Sequence, residues 1–208
     1  PLMLTLYFAK GTCALASHIA LEDTGEAYET KRIDFSQNAQ QSPDYLAINP
    51  KGRVPALVTP QGVLTESPAI LVYIAQSFPK ANLAPLDDPF ALAQMQSFNS
   101  YLCSTVHIAH AHRPRGSRWA DEESSLADMK RKVPQTMTAC FQMIEQTMLK
   151  GPWVMGERYT VADPYLFTLG SWLVNDSVDI KTFPRVYEHH QRMAERPNVK
   201  KVLAAEAA

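Results

Sequence analysis

The sequence has few cysteines, and those that it has form no motif. Cys13, Cys103 and Cys140 lie far apart, so the chain contains no CxxC pair. That absence excludes a zinc ribbon and a dithiol redox motif. We expect all three to be free thiols, as in a reducing compartment.

Excess charge, long apolar runs and glycine-rich loops are also missing. The formal net charge is −1, which argues against nucleic acid or an acidic membrane surface as the main partner. The apolar stretch from Met3 to Ala9 is too short to span a membrane and lacks the basic flank of a signal peptide. No glycine-rich phosphate loop is present. These absences predict a cytoplasmic protein that binds neither nucleic acid nor membranes.

The pattern that is present changes near residue 80. Before it, strand-like runs alternate with helical runs: MLTLYFA, then the weaker AYETKRIDF, then VPALVTPQGVLTES, which is typical of a hairpin. The proline-rich residues 81–89 are the best linker candidate. From residue 90 onward the patterns are helical. The sequence predicts an α/β domain over 1–80, a mixed sheet with helices, and an all-helical domain over 90–208.

Capping residues mark where several helices begin. Thr12 is predicted to cap the helix that follows it, which Gly25 ends. Ser67 is predicted to cap a helix whose first residue is Pro68. Thr160 and Asp163 have the spacing of a capping box.

The stretch AKGTCALASHIAL places Cys13 at a strand-to-helix turn. If Thr12 caps the helix, the thiol lies in its first turn, where free amides and the helix dipole favour the thiolate. Free cysteine is also among the most buried residue types, so a packed side chain is an equal alternative. Ligands dock at the carboxyl ends of strands in open α/β sheets, which favours a functional Cys13 over the other two cysteines.

Two further segments suit a peptide ligand. Val54-Pro55 lies where a strand begins, and proline there indicates either a plain strand start or an edge able to pair with an extended peptide. A helix start at Ser67 suits a carboxylate and Glu66 suits an ammonium group, although an ordinary cap beside an exposed acid is the alternative. Together with Cys13, the segments suit a small thiol peptide.

The helical segment LCSTVHIAHAH holds a cluster of metal-ligand types. Cys103, His107 and His110 share one helical face, and His112 is nearby. No carboxylate or second cysteine completes a tetrahedral set at a known spacing, so no metal site is predicted. Taken alone, His107 is more typical of a surface or core histidine than of a functional one.

Four motifs carry a resemblance to a known family. GTCALASHIAL, INPKGRVPALV, LTESPAI and GERYTVADPYLFTL together resemble the bacterial beta-class, cysteine-type glutathione transferases, and MAERPNVKKVL resembles their C-terminal part. The resemblance implies a thioredoxin-like N-terminal domain, an all-helical C-terminal domain, and a homodimer with active sites near the subunit interface. It implies glutathione as co-substrate and no metal.

The resemblance also implies roles for single residues. Val54 would present its backbone to the cysteinyl unit of glutathione beside a cis Pro55. Glu66 and Ser67 would hold the γ-glutamyl end. Cys13 would lie near the glutathione sulfur, where a mixed disulfide can form.

His107 matches a family histidine that faces the same sulfur, and both Cys13 and His107 are therefore candidate catalytic residues. The better-known members carry an acidic residue, a lysine and an asparagine around this histidine, where this chain has Thr105, Ile108 and Ser100. Those changes predict lower glutathione affinity or a different substrate.

The resulting hypothesis is an enzyme that transfers glutathione to a small hydrophobic or electrophilic substrate. Favouring the glutathione thiolate over the thiol would raise the fraction of nucleophile near neutral pH. One alternative is glutathione-dependent disulfide or peroxide reduction, in which Cys13 attacks as a single thiol. Another is a non-catalytic interaction protein on the same scaffold, since fold does not fix function.

Overall fold

A computed structural model describes the chain from Met3 to Ala208. These residues form two compact units, of which the first comprises the chain up to Leu92 together with Ala194–Ala208 and the second comprises Ala93–Met193. The domain limits expected from the sequence, 1–80 and 90–208, stay a prediction. No helix among the described residues combines the length and apolar character that crossing a bilayer requires.

The first unit is built on a mixed sheet of four strands within the described residues. The strands are β1 (Leu4–Phe8), β2 (Tyr28–Arg32), β3 (Ala56–Thr59) and β4 (Gly62–Thr65). The helices of this unit are α1 (Ala14–Asp23), α2 (Pro43–Ile48), α3 (Ser67–Ser77) and, from the C-terminal end of the chain, α9 (Pro197–Ala207). The strand order is β2-β1-β3-β4, with β1 parallel to β2 and the other pairs antiparallel. The predicted mixed sheet is confirmed.

Alternation along β1 sets the faces of this sheet. Leu4, Leu6 and Phe8 are buried, whereas Thr5 and Tyr7 between them are partly exposed, because successive side chains of a strand point to opposite faces. Helices α1 and α3 pack against each other, and most of their apolar side chains are buried. The core of this unit therefore lies between the sheet and its helices.

Two helix starts differ from the predicted ones by one residue. Helix α1 begins at Ala14, with Cys13 at its N-cap position, and the Cys13 side chain makes no cap bond. The Thr12 hydroxyl accepts from the Ala14 amide at 3.3 Å, as a capping side chain does, and donates to the Ala9 carbonyl at 2.7 Å. The turn before the helix passes through Gly11 at a φ of 75°. Glu66, and not Ser67, is the N-cap of α3, because the chain turns from β4 into the helix at Glu66, with a φ of 74°.

A buried contact between a histidine and a carboxyl group joins the C-terminal helix to α1. His18 Nδ1 and Glu206 Oε1 are 2.8 Å apart, and both side chains are almost fully buried. The His18 ring also contacts the rings of Phe8 and Tyr28. Since Cys13 lies at the N-cap position of α1, this contact helps to fix the helix that carries the thiol.

Replacing Glu206 with alanine is expected to lower the free energy of unfolding by about 3 kcal/mol, because His18 would stay buried without its partner. Urea unfolding of the purified variant measures this change. Glu195→Ala is the matched control: it breaks the exposed pair of Glu195 with Lys200, and exposed pairs contribute about 0.5 kcal/mol. Equal losses in the two variants would contradict a structural role for the buried pair.

The second unit is helical. Its helices are α4 (Pro89–Tyr101, which begins in the first unit), α5 (His107–Ala111), α6 (Glu123–Met143), α7 (Ala162–Gly170) and α8 (Pro184–Glu195, which ends in the first unit). A π-helical turn, Leu102–Val106, joins α4 to α5, and another, Ile144–Met148, follows α6. The predicted all-helical part that follows the sheet is confirmed.

Asp163 is a buried hydrogen-bond acceptor in this unit. Its carboxylate is fully buried. It accepts hydrogen bonds from the amides of Val154 and Thr160, both at 2.8 Å. His189 Nε2 lies 2.9 Å from the same carboxylate. The bond from the Thr160 amide is the one that the predicted capping box requires, so this half of the box is confirmed.

His190 is a largely buried imidazole whose ring stacks on Phe167 at 4.5 Å between centroids. Among the residues that the structure describes, its Nδ1 atom has no hydrogen-bond partner. Burial, with a smaller contribution from the neighbouring His189, lowers the pKa of His190 from 6.5 to about 4. The folded state thus holds this ring neutral.

This lowered pKa predicts a pH-dependent stability. Between pH 6.5 and about 4 the unfolded chain binds a proton that the folded chain does not, so folding stability falls as the pH falls through that range. The loss from His190 reaches about 3 kcal/mol near pH 4. Urea unfolding at a series of pH values measures it.

The effect is assigned by comparing two variants. His190→Gln removes the titration and is expected to flatten the pH dependence by that amount. Gln191→Ala, at an exposed and non-titrating neighbour of His190 on α8, is the control and should keep the wild-type dependence. An unchanged pH profile in His190→Gln would show that another group is responsible.

Candidate functional site

The hairpin register brings two of the predicted segments to one edge of the sheet. Ala56 pairs with Thr65 on β4 and with Tyr7 on β1. Val54-Pro55 directly precedes Ala56, and Glu66-Ser67 directly follows Thr65. Segments twelve residues apart in the chain are therefore neighbours at the same end of the hairpin, where β1 also ends.

Cys13 lies at this edge. Its Sγ donates to the Val54 carbonyl at 3.5 Å, and Cys13 and Val54 are 9% and 8% exposed. The bond between Val54 and Pro55 is cis. The structure thus places the Cys13 thiol next to Val54, at the start of the strand. Because both residues are buried, only a small part of each is accessible to a ligand.

Two side chains hold the loop before Val54 by hydrogen bonds to one of its carbonyl groups. The Tyr45 hydroxyl donates to the Arg53 carbonyl at 2.6 Å, and the Asn49 side-chain amide donates to the same oxygen at 2.8 Å. Burial raises the pKa of Tyr45 to about 12, so its hydroxyl keeps its proton at neutral pH. These two buried residues fix the backbone that leads into Val54, and sequence reasoning missed both.

Glu66 and Ser67 lie at the start of α3. Ser67 is buried and Glu66 is exposed. Lys51 Nζ forms an ion pair with the Glu66 carboxylate and donates to Thr65 Oγ1 at 2.8 Å. Lys51 was not among the sequence candidates, because its partners stand fourteen and fifteen residues further along the chain. The sequence signal that could have indicated Lys51 was the segment NPKG, a polar turn just before the strand.

His107 belongs to the second unit, at the first position of α5. Its ring meets the Trp172 ring edge-on, with 4.9 Å between centroids. Trp172 also stacks on His110 at 4.4 Å. His110 Nδ1 in turn lies 2.7 Å from a carboxylate oxygen of the buried Asp176. Trp172 thus connects His107 to His110 and to the buried Asp176.

Two histidines of this segment contact protein oxygens. His112 Nδ1 contacts the Ile108 carbonyl at 2.6 Å, and His110 contacts Asp176. Among the described residues, no three histidine, cysteine, aspartate or glutamate side chains are placed to hold one metal ion.

The edge in the first unit combines three chemical capacities. Cys13 provides a thiol beside the N-terminus of a helix, where the dipole favours negative charge. Val54 precedes β3, which pairs with both β1 and β4 and so is an inner strand, not the edge strand that the sequence allowed. The Val54 backbone lies before these strand pairs, where an extended peptide could pair with it. The α3 start provides amides for a carboxylate, and Glu66 provides a carboxylate for an ammonium group. A short peptide with an α-amino acid end and a thiol matches all three.

Comparison with known proteins identifies the family. Residues 3–76 match the family described as glutathione S-transferase, N-terminal domain, and residues 113–206 match glutathione S-transferase, C-terminal domain. The chain is 31% identical over 204 residues to glutathione S-transferase GstA of Escherichia coli O157:H7, covering 97% of this chain and 98% of that protein. It belongs to the glutathione S-transferase family and is an enzyme of that kind.

Solved structures support the same assignment. A Sulfitobacter glutathione transferase homologue with bound glutathione is 49% identical, with a TM-score of 0.95 and 98% coverage of both chains. A bacterial beta-class glutathione S-transferase from Sphingomonas chungbukensis is 32% identical, with a TM-score of 0.85, covering 97% of this chain and 98% of that one. The first unit therefore contains the thioredoxin-like sheet that the resemblance implied.

Proposed function

We propose that this protein is a beta-class glutathione transferase that joins the glutathione sulfur to small electrophilic substrates. Val54 pairs its backbone with the cysteinyl unit beside Pro55. Glu66 holds the ammonium group of the γ-glutamyl end, and the start of α3 at Ser67 holds its carboxylate. Cys13 lies beside the glutathione sulfur.

The single observation that carries this proposal is the meeting of Cys13 with the strand start at Val54. The Cys13 Sγ to Val54 oxygen distance is 3.5 Å, and the hairpin register puts Glu66-Ser67 next to the same segment. A peptide paired with Val54 through its central residue would have its cysteine side chain near Cys13 and its γ-glutamyl end near α3.

Catalysis would rest on favouring the thiolate of glutathione. The thiol loses its proton to solvent, the thiolate attacks an electrophilic carbon, a carbon–sulfur bond forms, and the leaving group departs with the electron pair. Dipoles at the α1 start, together with His107 as a donor to the sulfur, stabilise that anion. His107 is the proposed catalytic residue of conjugation, and Cys13, beside the sulfur, is the proposed catalytic residue of thiol exchange.

The assembly and location belong to the same proposal. We infer a homodimer in the cytoplasm, with active sites near the subunit interface. The similarity to a solved beta-class glutathione S-transferase and the free cysteines are consistent with it.

The position of Cys13 favours one second candidate function, glutathione-dependent disulfide reduction. In that reaction the Cys13 thiolate attacks a disulfide sulfur, the disulfide bond breaks, and one thiolate leaves. A glutathione thiolate then attacks the mixed disulfide and releases Cys13. The observation behind it is the thiol itself, placed at a helix N-terminus beside the proposed sulfur position.

A calorimetric titration with glutathione tests the proposed site. We expect one site per chain in the wild type. Ser67→Ala is expected to weaken binding roughly tenfold, since it removes a hydroxyl beside a bound charged group. The same variant should lose conjugation of a chlorodinitrobenzene at low glutathione and regain much of it at saturation.

Ser77→Ala is the matched control, because it makes the same change at the other end of α3. It should bind glutathione like the wild type. No binding of glutathione by the wild type at millimolar concentration, or equal losses in both variants, would contradict the assignment.

A further inference from the structure

The second unit contains a cleft of about 740 Å³. It is lined by the segment after α5, by the middle of α6 and by the turn after α7. None of the residues proposed to contact glutathione lines it. Its volume falls within the range of small-molecule sites, about 300 to 1,000 Å³.

Positive charge dominates the polar lining. Arg113 enters from the segment after α5, and Lys130 and Arg131 enter from α6. Arg131 forms an exposed ion pair with Asp128. No carboxylate in the described part of the chain pairs with Arg113 or Lys130. Two cations from different elements therefore face the cleft without neutralising partners, although the whole chain carries a net charge of −1.

The one carboxylate of the lining is already engaged. Asp176 is fully buried, and its two oxygens lie 3.0 and 2.7 Å from His110 Nδ1. Both oxygens thus contact His110, which also lines the cleft. Stacking of His110 on Trp172 holds that ring in place.

The remaining lining includes rigid apolar surface. Pro114 and Pro134 both line the cleft, and the proline ring has little conformational freedom to lose on binding. A flat apolar molecule placed between the two proline rings and the His110 imidazole would remove apolar surface from water, which is favourable. Guanidinium groups bind carboxylates in a planar, two-bond geometry.

We propose that this cleft is a second ligand site, which binds a small organic molecule with two anionic groups on a flat apolar body. One anionic group pairs with Arg113 and the other with Lys130. The body lies against the prolines and His110. This binding does not require glutathione.

Calorimetric titration with naphthalene dicarboxylate tests the proposal. We expect saturable binding, one molecule per chain, in the presence and absence of glutathione, weakening as salt is added. The double variant Arg113→Gln/Lys130→Gln should bind roughly tenfold or more weakly. Both side chains are at the surface or partly exposed, so the variant is expected to fold.

Two controls distinguish a specific binding site from non-specific electrostatic attraction. Lys132→Gln removes an exposed cation from the same helix, α6, at a position outside the lining, and it should bind like the wild type. The neutral dimethyl ester of the same dicarboxylate should bind much more weakly. Wild-type affinity in the double variant, equal loss in Lys132→Gln, or equal binding of the ester or of inorganic phosphate would overturn the proposal.

Discussion

Replacing Cys13 with alanine is expected to abolish formation of a mixed disulfide between the protein and glutathione. Incubated with glutathione disulfide, the wild type should gain the mass of one glutathionyl group, mapped to Cys13. The variant should react roughly a thousandfold more slowly or not at all, since removing a nucleophile removes its reaction. Mass spectrometry of the intact protein measures the change.

Conjugation should respond differently. In the proposed transferase the nucleophile is the glutathione sulfur, so the Cys13→Ala variant should keep conjugation within about threefold of the wild type. Cys103→Ala, at a partly exposed cysteine in the second unit, is the matched control and should retain both reactions. Equal loss of disulfide exchange and conjugation in Cys13→Ala would contradict the prediction that Cys13 is needed for exchange but not for conjugation.

The largest effect on stability is expected at Asp163. Its replacement by alanine leaves two buried backbone amides and His189 without their acceptor. We expect a loss of about 4 kcal/mol in the free energy of unfolding. For a chain of this size that corresponds to a fall of about 10 °C in Tm.

Two further variants define the cause. Asp163→Asn keeps one acceptor oxygen and should lose about half as much. Asp179→Ala removes an exposed cap that accepts from the Lys181 amide at 2.9 Å, and it should cost about 1 kcal/mol. Thermal and urea unfolding check both values. A loss in Asp163→Ala no greater than that in Asp179→Ala would contradict its role as the buried acceptor.

Local patterns in the sequence were sufficient for the sheet and the hairpin. Three local patterns carry this information: the apolar run of β1, the turn between β3 and β4, and the polar residues before α3. Each involves only a few neighbouring residues, so each can be recognised in the sequence. The closeness of Val54-Pro55 to Glu66-Ser67 follows from the hairpin alone. That is why the candidate segments at this edge could be predicted to belong together.

Contacts between distant parts of the chain could not be predicted in the same way. His110 and Asp176 are 66 residues apart, and His18 and Glu206 are 188 apart. Such pairs depend on tertiary packing, which no short motif encodes.

The one-residue errors at helix starts have a backbone cause. Threonine and serine are preferred caps, so Thr12 and Ser67 were the natural choices. The chain instead makes its turn at Glu66 with a positive φ, a conformation that non-glycine residues adopt rarely. Thr12 stands one residue further from the helix than predicted, and its hydroxyl both donates to the Ala9 carbonyl and accepts from the Ala14 amide.

A crystal structure with glutathione tests the central claim most directly. The account predicts one glutathione per chain, its cysteinyl unit paired with the Val54 backbone and its γ-glutamyl end at Glu66 and Ser67. The sulfur should lie within contact of Cys13. Glutathione bound away from Val54, or with its sulfur out of reach of Cys13, would contradict the proposed site.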